Sequence, residues 1–404
     1  MKLKALIFSL LLLSLASPSL RSQNYEVTVT TVNVWVKAVD KSGKPVEGLK
    51  ETDFEIFEDN TKVPVTCFEE VKSVEPAAIM EAPEQAQSQS APALPAPARK
   101  KFVVFLDLLN TSQREYLSII PKIDQFMEQV SKAGWDAMIA GLTAEGKLGV
   151  MLQFTNNPQR AHAVLEKLQA NPSRDLRLLK NERDLRNILG VGGGKAGDTM
   201  ISQAFRQAKT YALQDKQMSK ISLEAMESFA SYLQNFNRND HLVILYISGG
   251  INSDPARHYL KVMQQLTGME GNATTFPEGV SETDFDIVKE VKQSIGRLNR
   301  SNITVYTINT RGMYVWDSDR VRDDEFTQDY QDSLVQIARE TGGVAFLNSQ
   351  NFGVGFDKIL TDLNHQYLLC YNPPAHKKAQ EYHKIRVEVK KPDVKVRHRQ
   401  GYVG

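Results

Sequence analysis

The stretch Phe102-Val103-Val104-Phe105-Leu106-Asp107-Leu108-Leu109-Asn110-Thr111-Ser112 holds the side chains best placed to do chemistry in this chain. An unbroken apolar run ends on an acid and passes into short oxygen-bearing residues. Asp107, Asn110, Thr111 and Ser112 can present hard oxygens to a cation or to a partner's carboxylate. Asn110-Thr111-Ser112 equally suits the cap of a following helix, and the sequence leaves both readings open. Further along, Arg311, Tyr314 and Trp316 follow an apolar run at 303–308 and form a candidate protein-binding hot spot; Trp316 folding back on its own loop is the alternative.

Other constellations carry less. Gly192-Gly193-Gly194-Lys195 is followed by Ala196 and preceded by no apolar strand, so it fails the phosphate-loop pattern and reads as a loop. Asp317, Asp319, Asp323, Asp324 and Glu325 lack the glycine and terminal glutamate of a calcium loop and read as a solvated segment. The histidines form no His-Glu-x-x-His pair, and no Gly-x-Ser-x-Gly elbow marks a nucleophile. No catalytic residue is expected. Cys67 and Cys370 are the only cysteines; their spacing excludes a zinc ribbon or a Cys-x-x-Cys redox site, and a disulfide or two unpaired buried thiols both remain open.

The elements that would position these residues follow from the pattern. Phe102–Leu106 is apolar on both faces, as in a central strand of a parallel sheet covered by helices on both sides, and open α/β sheets place ligands at the carboxyl ends of such strands. Between 100 and about 351 strands and helices alternate, with residues 171–198, charged and then glycine-rich, expected to be an excursion from the core. Helices are expected at 115–133, 158–169, 199–213, 222–236, 285–298 and 334–340. Strands are expected at 136–142, 147–154, 242–247 and 303–308. Alternation of this kind implies a doubly wound, mostly parallel sheet. Residues 23–72 alternate with strand period and break at Lys41-Ser42-Gly43-Lys44-Pro45 and Glu58-Asp59-Asn60; residues 366–404 return to strand character. Each β segment is too small to stand alone, so the two are expected to pack together as one small β-sandwich bracketing the α/β unit. Residues 73–99, rich in Ala, Pro, Gln and Ser, read as a linker.

The chain's 404 residues allow two or three domains, and a net charge of +1 gives nothing that recruits nucleic acid. Lys2 and Lys4 precede an apolar run, Ala5–Ala16, and small or polar residues through Ser22. This is the layout of a signal peptide (1–22), so the expectation is an exported protein, periplasmic or secreted, with no membrane span after the signal is removed.

The order of these pieces resembles the von Willebrand factor type A family, and the whole chain resembles the VWFA-related proteins of Acidobacteria. The likeness rests on Asp107-Leu108-Leu109-Asn110-Thr111 against the family's Asp-x-Ser-x-Ser, on Gly197-Asp198-Thr199 against its loop threonine, and on Tyr246-Ile247-Ser248-Gly249 against its strand ending in Asp-Gly. Ile337-Ala338-Arg339-Glu340-Thr341-Gly342-Gly343, Lys44-Pro45-Val46-Glu47-Gly48-Leu49 with Asp53-Phe54-Glu55, and Tyr382-His383-Lys384-Ile385 with Gly401-Tyr402 extend it. The resemblance implies a Rossmann-like α/β domain with a metal-ion-dependent adhesion site. Asp107, Thr111 and Thr199 match that site's metal ligands, with Asn110, Asp198 and Ser248 as substitutes. Leu109 and Ser248 stand where the family has a serine and an aspartate, so the site is expected to be degenerate and to hold magnesium weakly. The function implied is a non-enzymatic module for protein binding or cell adhesion, with Asp107 among the contact residues. A metal-dependent envelope hydrolase on the same sheet edge is the alternative. The sequence names no partner.

Overall fold

Alternating Val32, Val34, Val36 and Ala38 give the chain's first described strand one buried face, and the same period recurs at both ends of the molecule. The computed structural model describes residues 31–72, 100–168, 174–190, 197–236, 242–268, 276, 285–310, 324–347, 352–374 and 381–403. The linker expected at 73–99 lies outside the described residues; before it come β1 (Val32–Val39), β2 (Phe54–Glu58), β3 (Thr61–Val63) and β4 (Cys67–Lys72). The α/β unit then runs β5 (Lys101–Asp107), α1 (Gln113–Lys132), β6 (Asp136–Leu142), β7 (Leu148–Thr155), α2 (Pro158–Lys167), α3 (Arg174–Ile188) and α4 (Asp198–Leu233). It continues with β8 (Leu242–Ser248), α5 (Pro255–Thr267), α6 (Val288–Arg300), β9 (Ile303–Asn309), α7 (Asp324–Glu340), β10 (Ala345–Phe346) and α8 (Phe352–Asn364). The chain closes with β11 (His365–Tyr371), β12 (Tyr382–Val389), β13 (Lys395–Arg397) and β14 (Gly401–Val403).

The central sheet has six strands in the order β10-β9-β8-β5-β6-β7. All neighbours are parallel except the β6–β7 hairpin. Residues of β5 divide between its two faces. Phe102, Val104 and Leu106 pack with Ile119, Ile123 and Phe126 of α1 and with Phe356 and Ile359 of α8. Val103 and Phe105 pack with Met226 and Phe229 of α4, Ile295 of α6 and Ile337 of α7. A sheet sealed on both sides explains why its strands read as continuous apolar runs.

Segments from the two ends of the chain interleave in a pair of antiparallel four-stranded sheets, β13-β1-β11-β4 and β14-β12-β2-β3. Their facing residues, among them Val34, Val36, Ile56, Tyr367, Leu369 and Ile385, form one core. Cys67 and Cys370 lie opposite each other in the β4–β11 register and are joined in a disulfide with Cα atoms 4.9 Å apart. The sandwich meets the α/β unit through buried polar contacts: Lys37 Nζ donates to Gly342 O at 3.0 Å, and Arg399, held by Asn33 O within the sandwich at 2.7 Å, donates to Asn299 O.

Three sequence expectations need correction. The helices expected at 199–213 and 222–236 are one helix, α4, of 36 residues. No proline or glycine lies between Gln214 and Ile221, so nothing interrupts the ladder. The α/β unit does not end at 351, because α8 supplies Phe356, Ile359 and Leu363 to the α1 face of the sheet. The charged stretch expected to be an excursion from the core contains α3, whose Leu185, together with Leu189 just past its end, packs against α4 and α5.

Candidate functional site

Asp107 ends β5, and the two-residue strand period puts it on the same face as Val103 and Phe105, toward α4. Register then supplies its neighbours. Phe105 pairs with Tyr246 of β8, and Ser248 is the last residue of that strand. From α4, Ser222 reaches the same point. Oδ2 of Asp107 accepts hydrogen bonds from Tyr246 OH (2.5 Å), Asn110 Nδ2 (2.9 Å), Ser248 Oγ (3.0 Å) and Ser222 Oγ (3.3 Å). Oδ1 accepts from the Asn110 amide at 3.2 Å. Burial pushes the Tyr246 phenol well above its usual range and the charge of Asp107 adds to the effect, so this hydroxyl stays protonated and serves as a donor.

The loop after β5 turns its polar groups inward. Thr111 Oγ1 donates to the Asp107 carbonyl at 2.6 Å. Ser112 caps α1, accepting from the Glu115 amide, while Glu115 Oε2 accepts from the Ser112 amide at 2.9 Å and from Thr310 Oγ1 at 3.1 Å. The Thr310 amide in turn donates to Ser248 O at 3.0 Å. The carboxyl ends of β5, β8 and β9 are thereby tied into one continuous network. Asp107, Asn110, Thr111, Ser112, Glu115, Ser222, Tyr246, Ser248 and Thr310 are all buried.

Of the residues singled out from sequence, Asp107, Asn110, Thr111 and Ser248 come together here. Thr199 and Asp198 do not. They are exposed in the first turn of α4, on the same unbroken helix as Ser222. At 1.5 Å of rise per residue, Thr199 stands roughly 35 Å from the Asp107 network. The amino-terminal part of α4, with Phe205 and Ala208, packs on α3 and α5, and only the carboxyl-terminal part reaches the sheet. Arg311, Tyr314 and Trp316 lie outside the described residues. Asp107, expected to touch a protein partner, is 0% exposed and cannot do so directly.

Magnesium requires near-octahedral oxygen coordination at about 2.1 Å and retains several waters. Oδ2 of Asp107 already meets four donors, Thr111 is turned to the main chain, and Thr199 is remote. These residues do not fit the ion that the resemblance implied. Sequence reasoning missed Ser222, Tyr246, Glu115 and Thr310. A hydroxyl inside the otherwise apolar run 242–247 was the one available signal for Tyr246; nothing local marks Ser222, whose role depends on the crossing of α4 over the sheet.

No family profile matches the chain, and no curated protein does. Solved structures give three likenesses of note. An aerotolerance-related membrane protein from Bacteroides fragilis is 15% identical with a TM-score of 0.32, the match covering 66% of this chain and 98% of that one. Three N-terminal domains of the type V pilus tip protein Mfa5 from Porphyromonas gingivalis are 8% identical with a TM-score of 0.36, covering 84% and 56%. The pilus adhesin SpaC from Lactobacillus rhamnosus is 9% identical with a TM-score of 0.35, covering 75% and 44%.

Proposed function

We propose that this chain is an exported, non-enzymatic von Willebrand A-like module that captures a protein partner at the carboxyl edge of its central sheet, without a metal ion. The observation carrying this reading is the saturated state of Asp107. A carboxylate held by four side-chain donors, with its phenol partner kept protonated, fixes the ends of β5, β8 and β9 as a rigid platform. Crevices at the carboxyl ends of parallel strands are where such sheets place ligands. The motif resemblance supports the type A assignment, and the signal-peptide pattern supports export. No helix among the described residues is long and apolar enough to cross a membrane.

The alternative, a metal-dependent hydrolase at this edge, is disfavoured by the same geometry. A hydrolase needs an accessible base, nucleophile or Lewis acid there, and Asp107 is spoken for and out of reach of solvent.

The two ends of α1 provide the test. Gln113 is exposed at the carboxyl edge of the sheet, and Lys132 is exposed at the opposite end of the same helix. A photo-crosslinking residue at 113, in protein expressed in the producing cell, is expected to trap one envelope or secreted partner in the presence of a chelator, and the same probe at 132 is expected to trap none. Equal labelling from both positions would reject the edge as the interface. Labelling abolished by the chelator would reject metal independence.

A further inference from the structure

Ligand-type side chains converge a second time in the β-sandwich, on elements that take no part in the Asp107 network. Glu58 ends β2, Asp59 begins the turn into β3, and His383 is the second residue of β12. The β2–β12 register pairs Glu58 with Ile385, which places His383 beside the turn. His383 Nδ1 lies 2.8 Å from Asp59 Oδ2, and the ligand atoms of all three residues fall within 4.8 Å of one another.

The surroundings hold the set in place. Tyr371 OH and Tyr402 OH both donate to Glu58 Oε2, at 2.5 and 3.0 Å. The Lys384 amide donates to Asp59 Oδ1 at 2.8 Å, and the Asp59 amide donates to Lys384 O at 3.0 Å. Glu58 and His383 are buried, whereas the Asp59 side chain is 52% exposed and opens the cluster to solvent. One imidazole and two carboxylates form the mixed nitrogen–oxygen donor set suited to zinc, with a fourth position left for water. Ligands of a tetrahedral zinc stand about 3.4 Å apart at bond lengths of 2.0–2.2 Å. Reaching that spacing asks the 2.8 Å His383–Asp59 pair to open and any separation approaching 4.8 Å to close, movements on the order of 1 Å.

We propose that Glu58, Asp59 and His383 form a binding site for a divalent transition cation of the zinc class, anchored on the sandwich and independent of the sheet edge. The bland alternative is a His383–Asp59 ion pair beside a tyrosine-capped carboxylate, with no affinity for metal.

Calorimetry and thermal melting of the mature chain with zinc chloride separate the two. The expected result is saturable binding at one equivalent and a melting temperature that rises with zinc concentration, while magnesium gives neither. Asp59→Asn, at a half-exposed position, is expected to fold and to weaken zinc binding at least tenfold. His383→Gln is expected to do the same, and it decides the matter if Asp59→Asn folds poorly. Zinc binding in both variants equal to that of the wild type, or a wild type with no saturable binding, overturns the proposal.

Discussion

Lys37 sits in an environment unlike the one its type usually occupies. It projects from β1 on the face opposite Val34 and Val36, is 1% exposed, and hydrogen-bonds Gly342 O across the junction with the α/β unit. Burial lowers its pKa to about 7; nearby Arg397 lowers it further and Asp362 opposes. The unfolded chain keeps this proton up to about 10.5, so between about 7 and 10.5 it binds more protons than the folded protein. Stability should therefore rise as pH increases through that window. Lys100, lowered to about 8 by burial alone, acts in the same direction. Urea midpoints measured from pH 7 to pH 9.5 are expected to climb in the wild type and to climb distinctly less in Lys37→Met. Parallel profiles would show that Lys37 is charged and solvated in the native state. At the same scale, Asp107 was legible in sequence as an acid at a strand end. Its four-donor saturation was not, because three of the donors come from α4 and β8, more than a hundred residues away in the chain.

Among the elements, the end of β8 has little tolerance for a side chain. Gly250 sits at φ +108°, where a side chain is strained, and a Cβ there would stand 2.5 Å from the Tyr330 carbonyl of α7. The Gly250 amide also donates to Ser248 Oγ, one of the groups holding Asp107. Gly250→Ala is expected to cost about 2–4 kcal/mol in chemical denaturation, since backbone strain and a main-chain clash act together. A cost below about 1 kcal/mol would mean that α7 shifts easily at this contact. The Ser248-Gly249-Gly250 stop was visible in sequence, and its reason, the close passage of α7, was not. The length of α4 shows the converse: local composition permits an unbroken helix, but only its two packing environments, α3 and α5 at one end and the sheet at the other, show what the added turns accomplish.

Across the whole molecule, the chain leaves the sandwich after β4 and returns at β11, and the Cys67–Cys370 disulfide spans a sequence separation of 303 at that point. A cross-link over so long a loop restricts the unfolded ensemble, and removing such a bond typically costs about 2–4 kcal/mol. Cys370→Ser is expected to lower stability by that amount in chemical denaturation. It should retain the native circular dichroism, because Val34, Ile56, Leu369 and Ile385 still form the sandwich core. An unchanged denaturation midpoint would show that the strand pairing already restrains the ends and that the bond adds nothing.

Apolar runs and their punctuation determined, from sequence alone, that a mostly parallel sheet with helices on both faces lies between two strand-rich ends. They also marked Asp107 and Ser248 as strand-end polar residues, and Asn110-Thr111-Ser112 as either oxygen ligands or a helix cap. These features are local: a strand period, a turn, a capping oxygen. Tertiary structure alone decided what Asp107 does. Its partners are set by sheet register and by the point where α4 crosses, which also carries Thr199 far from the carboxylate that the motif had paired it with. The convergence of Glu58, Asp59 and His383 is of the same kind. More than three hundred residues separate the turn from β12, and only antiparallel pairing in the sandwich brings imidazole and carboxylates together. Sequence fixes which side chains are available; distances between them come from packing, which no local pattern encodes.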